Sequence, residues 1–97
     1  MTEVVHLPDC AGDGRGVLFE SAPKTVRLAL EAGDRVPPHE HPGKAIVCYV
    51  VDGELELDLG DETHELVSGD VARFSGDQNV SPRARDDSVA LLVLTEG

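Results

Sequence analysis

Residues 33–60 read GDRVPPHEHPGKAIVCYVVDGELELDLG, and this stretch decides the fold. Its second half alternates apolar and polar residues with a period of two, the pattern of half-buried strands. Leu55, Leu57 and Leu59 share one face of Glu54–Leu59, and Glu56 and Asp58 share the other. The turn signal DG at residues 52–53 joins this strand to a preceding one over Ala45–Val51. The stretch therefore predicts a β-hairpin.

The same pattern extends outward along the chain. Gly60-Asp61 leads into Glu62–Leu66, and residues 68–70 lead into Val71–Phe74. Thr25–Glu31 places alternate apolar residues on one face, while Val89–Thr95 is apolar on both faces and is predicted to be a central strand. No long window has helical spacing of apolar residues. Roughly eight short strands and essentially no helix predict an all-β antiparallel sandwich or barrel.

Two histidines in this stretch form the main candidate site. In an extended chain, residues two apart share a face, so His39 and His41 project the same way with Cα atoms about 6.6 Å apart. Pro37 and Pro38 keep the approach extended, which suits the rim of a barrel. The two imidazoles can then converge on one divalent metal ion.

The segment resembles the first signature of the cupin superfamily: a glycine, HxH six residues later, and a closing glycine after a strand. Gly33, His39, His41 and Gly53 fall in register with it, and residues 69–74 fit the opening of the second signature. The resemblance spans about residues 25–95. It implies a small single-domain cupin with a conserved-barrel (RmlC-like) jelly roll, covering residues 1–97, with residues 1–14 as an N-terminal arm or edge strand.

Cupins usually hold a divalent metal with three histidines and one glutamate, and here two of the four ligands are present. Ile46 stands at the glutamate position, and the last histidine aligns with Asn79 or Val80. Cys48 and Asn79 are the candidates for an additional ligand, although cysteine is often a buried apolar filler and amides are poor ligands for transition metals. The residues do not distinguish zinc, iron, manganese, nickel and copper.

Two hypotheses stay open. In the first, His39 and His41 bind a divalent metal in the barrel with water or one further ligand. In the second, the protein is a metal-free cupin that binds a small molecule or acts as a structural or regulatory homodimer. In both, the predicted pocket is lined by Ile46, Cys48, Val50, Leu55 and Leu57. No residue is assigned as a catalytic acid or base.

Composition limits the partners and the setting. The chain has 19 Asp and Glu against 8 Lys and Arg, a formal charge of −11, so nucleic acid is expected to be repelled. An acid-rich, lysine-poor chain suggests a halophilic source. No secretion signal or membrane-spanning stretch is visible, so we expect a cytoplasmic protein with no membrane partner, in which Cys10 and Cys48 are free thiols. A homodimer is the expected assembly.

Overall fold

The computed structural model describes residues 2–10, 12 and 14–96. Apart from one short 3-10 helix at Leu7–Asp9, the regular structure of these residues is entirely β. None of their helices is long and apolar enough to cross a membrane. The strands are β1 (Gly14–Phe19), β2 (Lys24–Leu30), β3 (Lys44–Asp52), β4 (Glu54–Leu59), β5 (Glu62–Val67), β6 (Val71–Ser75), β7 (Val80–Ala84) and β8 (Ser88–Glu96).

The strands form two antiparallel sheets. One has five strands in the order β1-β2-β8-β3-β6, and the other has three in the order β5-β4-β7. Strand β8 lies in the middle of the larger sheet, which confirms the prediction for Val89–Thr95. The predicted all-β jelly roll is likewise confirmed, and the six strands predicted by position match β2, β3, β4, β5, β6 and β8 within one residue at each end.

Alternation along the strands decides what faces the interior. In β4, Leu55, Leu57 and Leu59 are buried, while the acidic residues between them are more exposed. Leu55 packs with Leu28, Cys48 and other side chains of the larger sheet, so the two sheets share one core. Each fully buried leucine or valine contributes about 1.5–3 kcal/mol relative to an exposed one. The core is therefore the space between the sheets.

Gly53 shows why the β3–β4 turn needs glycine. Its φ is +101°, a region that side chains with a Cβ rarely adopt. A Cβ there would also collide with the Ser88 hydroxyl and the Asp87 carbonyl. That hydroxyl accepts a hydrogen bond from Glu54 N at 2.9 Å. The turn thereby fixes β4 against the start of β8.

The N-terminal segment precedes the sheets. Residues 2–10 form no strand, and Val4 is 87% exposed. Strand β1 begins at Gly14 and pairs with β2 at the edge of the larger sheet. The expectation of an arm or edge strand over residues 1–14 also covers Met1, Ala11 and Asp13, which lie outside the described residues.

Candidate functional site

The histidine-bearing segment runs along the edge of the smaller sheet. It bridges β7 at two points, Arg35 with Arg83 and His39 with Val80. The amide of Val80 donates to the His39 carbonyl at 3.0 Å, and the His39 amide donates back at 3.3 Å. Pairing with β7 therefore holds His39 against the barrel wall.

The buried residue Ser81 of β7 also holds this segment, through hydrogen bonds of its side chain. Its side chain is 1% exposed, and its hydroxyl donates to the Val36 carbonyl at 2.7 Å. The same oxygen accepts from Arg35 Nε at 2.9 Å. A buried hydroxyl that both donates and accepts a hydrogen bond carries little desolvation penalty, and this one fixes the segment at Arg35 and Val36, just before the prolines. Sequence reasoning missed Ser81, because its partners lie 45 and 46 residues away.

His41 is positioned by the loop that follows β6. Its amide donates to the Gly76 carbonyl at 2.8 Å, and the Gly76 amide donates to the Lys44 carbonyl at 2.8 Å. A Cβ on Gly76 would collide with the His41 carbonyl oxygen. Gly76 is therefore required for the backbone of His41 to approach this closely.

The two imidazoles do share a face, as predicted. Their ring centroids are 4.4 Å apart with the planes at 66°, an edge-to-face contact, and both rings line the cavity between the sheets. His39 Nδ1 lies 3.1 Å from the Pro37 carbonyl. Since a carbonyl only accepts, Nδ1 carries the proton and Nε2 keeps its lone pair in the neutral ring.

The pair lies in a positively charged setting. The pKa of His41 is lowered, first by burial and then by His39, Arg15 and Lys24. A neutral His41 at pH 7 follows from this direction, since burial and neighbouring cations both disfavour the imidazolium ion.

Arg15 is a further residue at this site that the sequence did not predict. It lies on β1 directly opposite Leu28 of β2, so it shares the inner face of the larger sheet and lines the cavity with the two histidines. Lys24 stands beside it with His41 in an adjoining surface depression. In the described part of the chain, neither Arg15 nor Lys24 forms an ion pair.

The cavity itself is small and apolar. Its volume is about 70 Å³. Arg15, His39 and His41 are joined on its wall by apolar side chains from both sheets and by Cys48; these are Val26, Leu28, Val36, Ile46, Leu55, Leu57, Phe74, Val80, Pro82, Leu92 and Leu94. No carboxylate is among the lining residues that the structure describes.

The predicted pocket residues divide into two groups. Ile46, Cys48, Leu55 and Leu57 lie on the cavity wall as expected. Val50 does not. It is 0% exposed and belongs to the solid core at the end where Ala84 and Ala90 fill the space, so matching parity alone did not bring it to the cavity.

The candidates for a further metal ligand are not equivalent. Cys48 reaches the cavity wall, but burial raises the pKa of its thiol to about 11, which favours the protonated form over the thiolate that binds metals. Asn79 is exposed and lines a separate surface depression with Asp58 and Arg35. Its neighbour Val80 faces the cavity instead, so an apolar side chain stands where the last histidine would be.

The described residues do not fit the four-ligand metal site that the resemblance implies. Two imidazoles are present, but no group of three His, Cys, Asp or Glu side chains in this part of the chain could hold a metal ion. Ile46 and Val80 occupy the other two positions, and Arg15 adds a positive charge to the wall. A facial iron site also needs a carboxylate beside two imidazoles.

Comparison with known proteins agrees with this architecture. Residues 26–95 match the family described as "Cupin domain". No curated protein matches the chain.

Solved structures with the same fold come from several bacteria. An RmlC-like cupin protein from Desulfovibrio desulfuricans superimposes with a TM-score of 0.85 at 21% identity, covering 98% of this chain and 97% of the other. An uncharacterized conserved protein with a double-stranded β-helix domain from Klebsiella pneumoniae gives 0.84 at 20% identity, covering 100% and 92%. A predicted oxalate decarboxylase from Thermotoga maritima gives 0.70 at 22%, covering 76% and 66%. Likeness at this identity shows the fold alone.

Proposed function

Because the chain belongs to the cupin domain family, we propose that it binds a small organic anion in the cavity between its sheets, without requiring a metal ion. One observation carries the proposal: an otherwise apolar cavity has an arginine with no ion-pair partner on its wall, beside two histidines. Binding sites of this kind are largely apolar, with a few polar groups that fix the orientation of the ligand.

The apolar wall sets the size and character of the ligand body. A cavity of about 70 Å³ is well below the ~150 Å³ of an engineered cavity that admits benzene. A short, branched hydrocarbon group of a few carbon atoms matches this space and the leucine, valine and phenylalanine side chains around it. The ligand body is therefore a short aliphatic group rather than a sugar or an aromatic ring system.

Arg15 and Lys24 determine which head group the ligand carries. The chain has 19 acidic residues and only 8 basic ones, yet Arg15 and Lys24 have no carboxylate within ion-pair distance in the described part of the chain. Glu40 lines the depression near Lys24 without pairing with either. A planar carboxylate suits a guanidinium because two parallel hydrogen bonds form. A short-chain monocarboxylate thus complements both the wall and the cations.

A second candidate function is a weak metal site on His39 and His41. It is favoured by their 4.4 Å ring separation and by the hydrogen bond to Pro37, which leaves His39 Nε2 free. Hydrogen bonds of this type, made by the ring nitrogen that does not bind the metal, orient the histidines that ligate metals. It is disfavoured by Arg15 and Lys24, whose positive charges near His41 repel a metal cation.

The experiment uses 3-methylbutyrate as the probe and 3-methylbutyramide as its neutral isostere. NMR titration of the protein in a chelator-containing buffer follows the signals of the two imidazoles and of the cavity methyl groups. We expect the carboxylate to shift them, with affinity falling roughly tenfold in Arg15→Gln because a charge-assisted hydrogen bond is lost. Arg73→Gln, which removes an exposed arginine outside the cavity, is the matched control and is expected to bind normally.

The outcomes separate the hypotheses. Equal binding of acid and amide, unaffected by Arg15→Gln, would leave a ligand cavity but contradict the anion. No binding of either compound, or binding only after a divalent metal is added, would contradict the metal-free proposal as a whole.

A further inference from the structure

A surface depression beside the apolar cavity collects positive charge. Its lining includes Arg15, Lys24, Glu40, His41, Lys44 and Leu94, its volume is about 280 Å³, and we call it the basic depression. Three of the 8 basic residues of the chain line it, and these include both of its lysines. A chain with a formal charge of −11 therefore concentrates a large part of its positive charge at one place next to the cavity.

The strand register explains why the two lysines meet. Lys24, the first residue of β2, is opposite Leu94 of β8. Lys44, the first residue of β3, is opposite Glu96 of the same strand. Strand β8 lies between β2 and β3, and residues two apart on a strand share a face. Both lysines therefore stand at one end of the larger sheet, on the inner face that bears Leu94.

The basic depression and the cavity have side chains in common. Arg15, His41 and Leu94 line both spaces, whereas Lys24 and Lys44 line the depression and not the cavity. The two spaces therefore adjoin along the three shared side chains. One ligand can lie across both, with its aliphatic body in the cavity, a first carboxylate at Arg15 and a further polar group in the depression.

Lys24 is the lysine whose charge the protein leaves unmatched. Lys44 Nζ lies 2.7 Å from Glu96 Oε1, so its charge is compensated within the chain. Among residues 2–10, 12 and 14–96, Lys24 has no ion-pair partner, and neither has Glu40 on the wall of the same depression. Lys24 is also half-buried. A charge that is partly removed from water without a counter-charge is costly, and an anionic group of a ligand would offset that cost.

We propose that the ligand carries a second carboxylate, which Lys24 binds in the basic depression while Arg15 binds the first. This inference rests on the proposed function and extends its ligand to a short, branched aliphatic dicarboxylate. A carboxylate matches the single unmatched charge of Lys24, whereas a phosphate group carries close to two negative charges at pH 7. The ammonium group is a compact charge with three rotatable donors, so it accepts a carboxylate on a flexible arm without a fixed orientation.

The test uses 2-isopropylsuccinate, which is 3-methylbutyrate with one added carboxymethyl group. Its matched ligand is the monoamide in which the added carboxylate is replaced by a neutral amide of the same shape. NMR titration of the full chain in chelator-containing buffer measures both dissociation constants. We expect the dicarboxylate to bind about tenfold more tightly than the monoamide, as one charge-assisted hydrogen bond predicts. The formal charge of −11 alone would favour the monoamide, so a preference for the dicarboxylate must come from nearby cations.

Lys24→Gln is expected to abolish this preference while leaving the affinity for the monoamide nearly unchanged. Arg73→Gln is the matched control, because it removes one positive charge from an exposed residue that lines neither space, and it is expected to keep the preference. Circular dichroism verifies that both variants are folded, and the comparison of the two ligands in the wild-type protein needs no variant.

The outcomes separate this inference from the proposed function. Equal affinity of the wild-type protein for the dicarboxylate and the monoamide would overturn the inference, as would a preference that persists in folded Lys24→Gln. If 3-methylbutyrate binds in either case, the proposed function stands without the second carboxylate. If none of the three compounds binds, both the inference and the proposed function are contradicted.

Discussion

Burial determines the reactivity of the Cys48 thiol. Its side chain is 2% exposed on the inner face of β3, and desolvation raises the pKa of the thiol to about 11. The reactive form of cysteine is the thiolate, which is therefore scarce near neutral pH. Cys10 lies outside the core and is partly exposed. The two cysteines should differ strongly in reactivity.

A thiol-reactive disulfide reagent tests this difference. Near pH 8 the folded protein is expected to react at Cys10 and hardly at Cys48, and both cysteines should react after denaturation. Cys10→Ser is the control, because any reaction of that folded variant must come from Cys48. Fast reaction of folded Cys10→Ser would show that Cys48 is accessible as a thiolate, and would restore it as a candidate ligand.

The site residues that could be predicted are those defined by local spacing. The period of an extended chain was enough to place His39 and His41 on one face. Arg15 could not be predicted from local spacing, because its place beside the two histidines depends on the pairing of β1 with β2 and of β2 with β8. Val50 failed for the opposite reason. Parity gave its face correctly, but Val50 is packed in the core with Ala84 and Ala90 and is not among the residues that line the cavity.

Gly76 lets the loop between β6 and β7 pack against the backbone of His41. The loop between β6 and β7 approaches His41 so closely that no Cβ fits, and the backbone hydrogen bond of 2.8 Å depends on that approach. The position of this loop also decides between the two alignments of the second sequence signature. Counting from Gly69 without a gap brings Val80 to the cavity, whereas the alignment with a deletion would have brought Asn79 there.

Gly76→Ala is expected to displace His41 and to weaken binding of 3-methylbutyrate. The collision with backbone atoms should also lower the free energy of unfolding by about 1–3 kcal/mol, measured by urea denaturation. Gly16→Ala is the control, since a Cβ there meets nothing within 4 Å and Gly16 has an ordinary φ. If Gly76→Ala bound the probe as tightly as Gly16→Ala, the loop would have no role in positioning His41.

Strands were predicted where apolar and polar residues alternate without interruption, and they were missed where glycine or proline interrupts that alternation. Glu54–Leu59 matched β4 residue for residue. Strand β1 contains two glycines, and β7 contains Pro82, so neither shows a plain strand pattern. Pro82 is accommodated because β7 lies at the end of the smaller sheet.

The stability of the whole molecule depends on two long-range features, the pairing of strands that are distant in sequence and the net charge. Strand β2 pairs with β8, so segments near the two ends of the chain lie side by side in one sheet. We therefore expect residues 1–97 to unfold as one cooperative unit. The formal charge of −11 acts against that compact state.

Salt should accordingly stabilise the fold. We expect a single thermal transition whose midpoint rises by roughly 5 °C or more between ~0.1 M and ~1 M NaCl, as self-repulsion is screened. Two transitions would contradict the single domain, and a midpoint that falls with salt would contradict the electrostatic account and the halophilic interpretation.

Calorimetric titration of 3-methylbutyrate into the metal-stripped protein, repeated after addition of zinc, distinguishes an anion site that needs no metal from a metal site. We expect binding at about one site per chain in the chelated sample, with little change when zinc is present. Binding that requires zinc and disappears in His41→Ala would contradict this expectation and establish the two-histidine metal site instead.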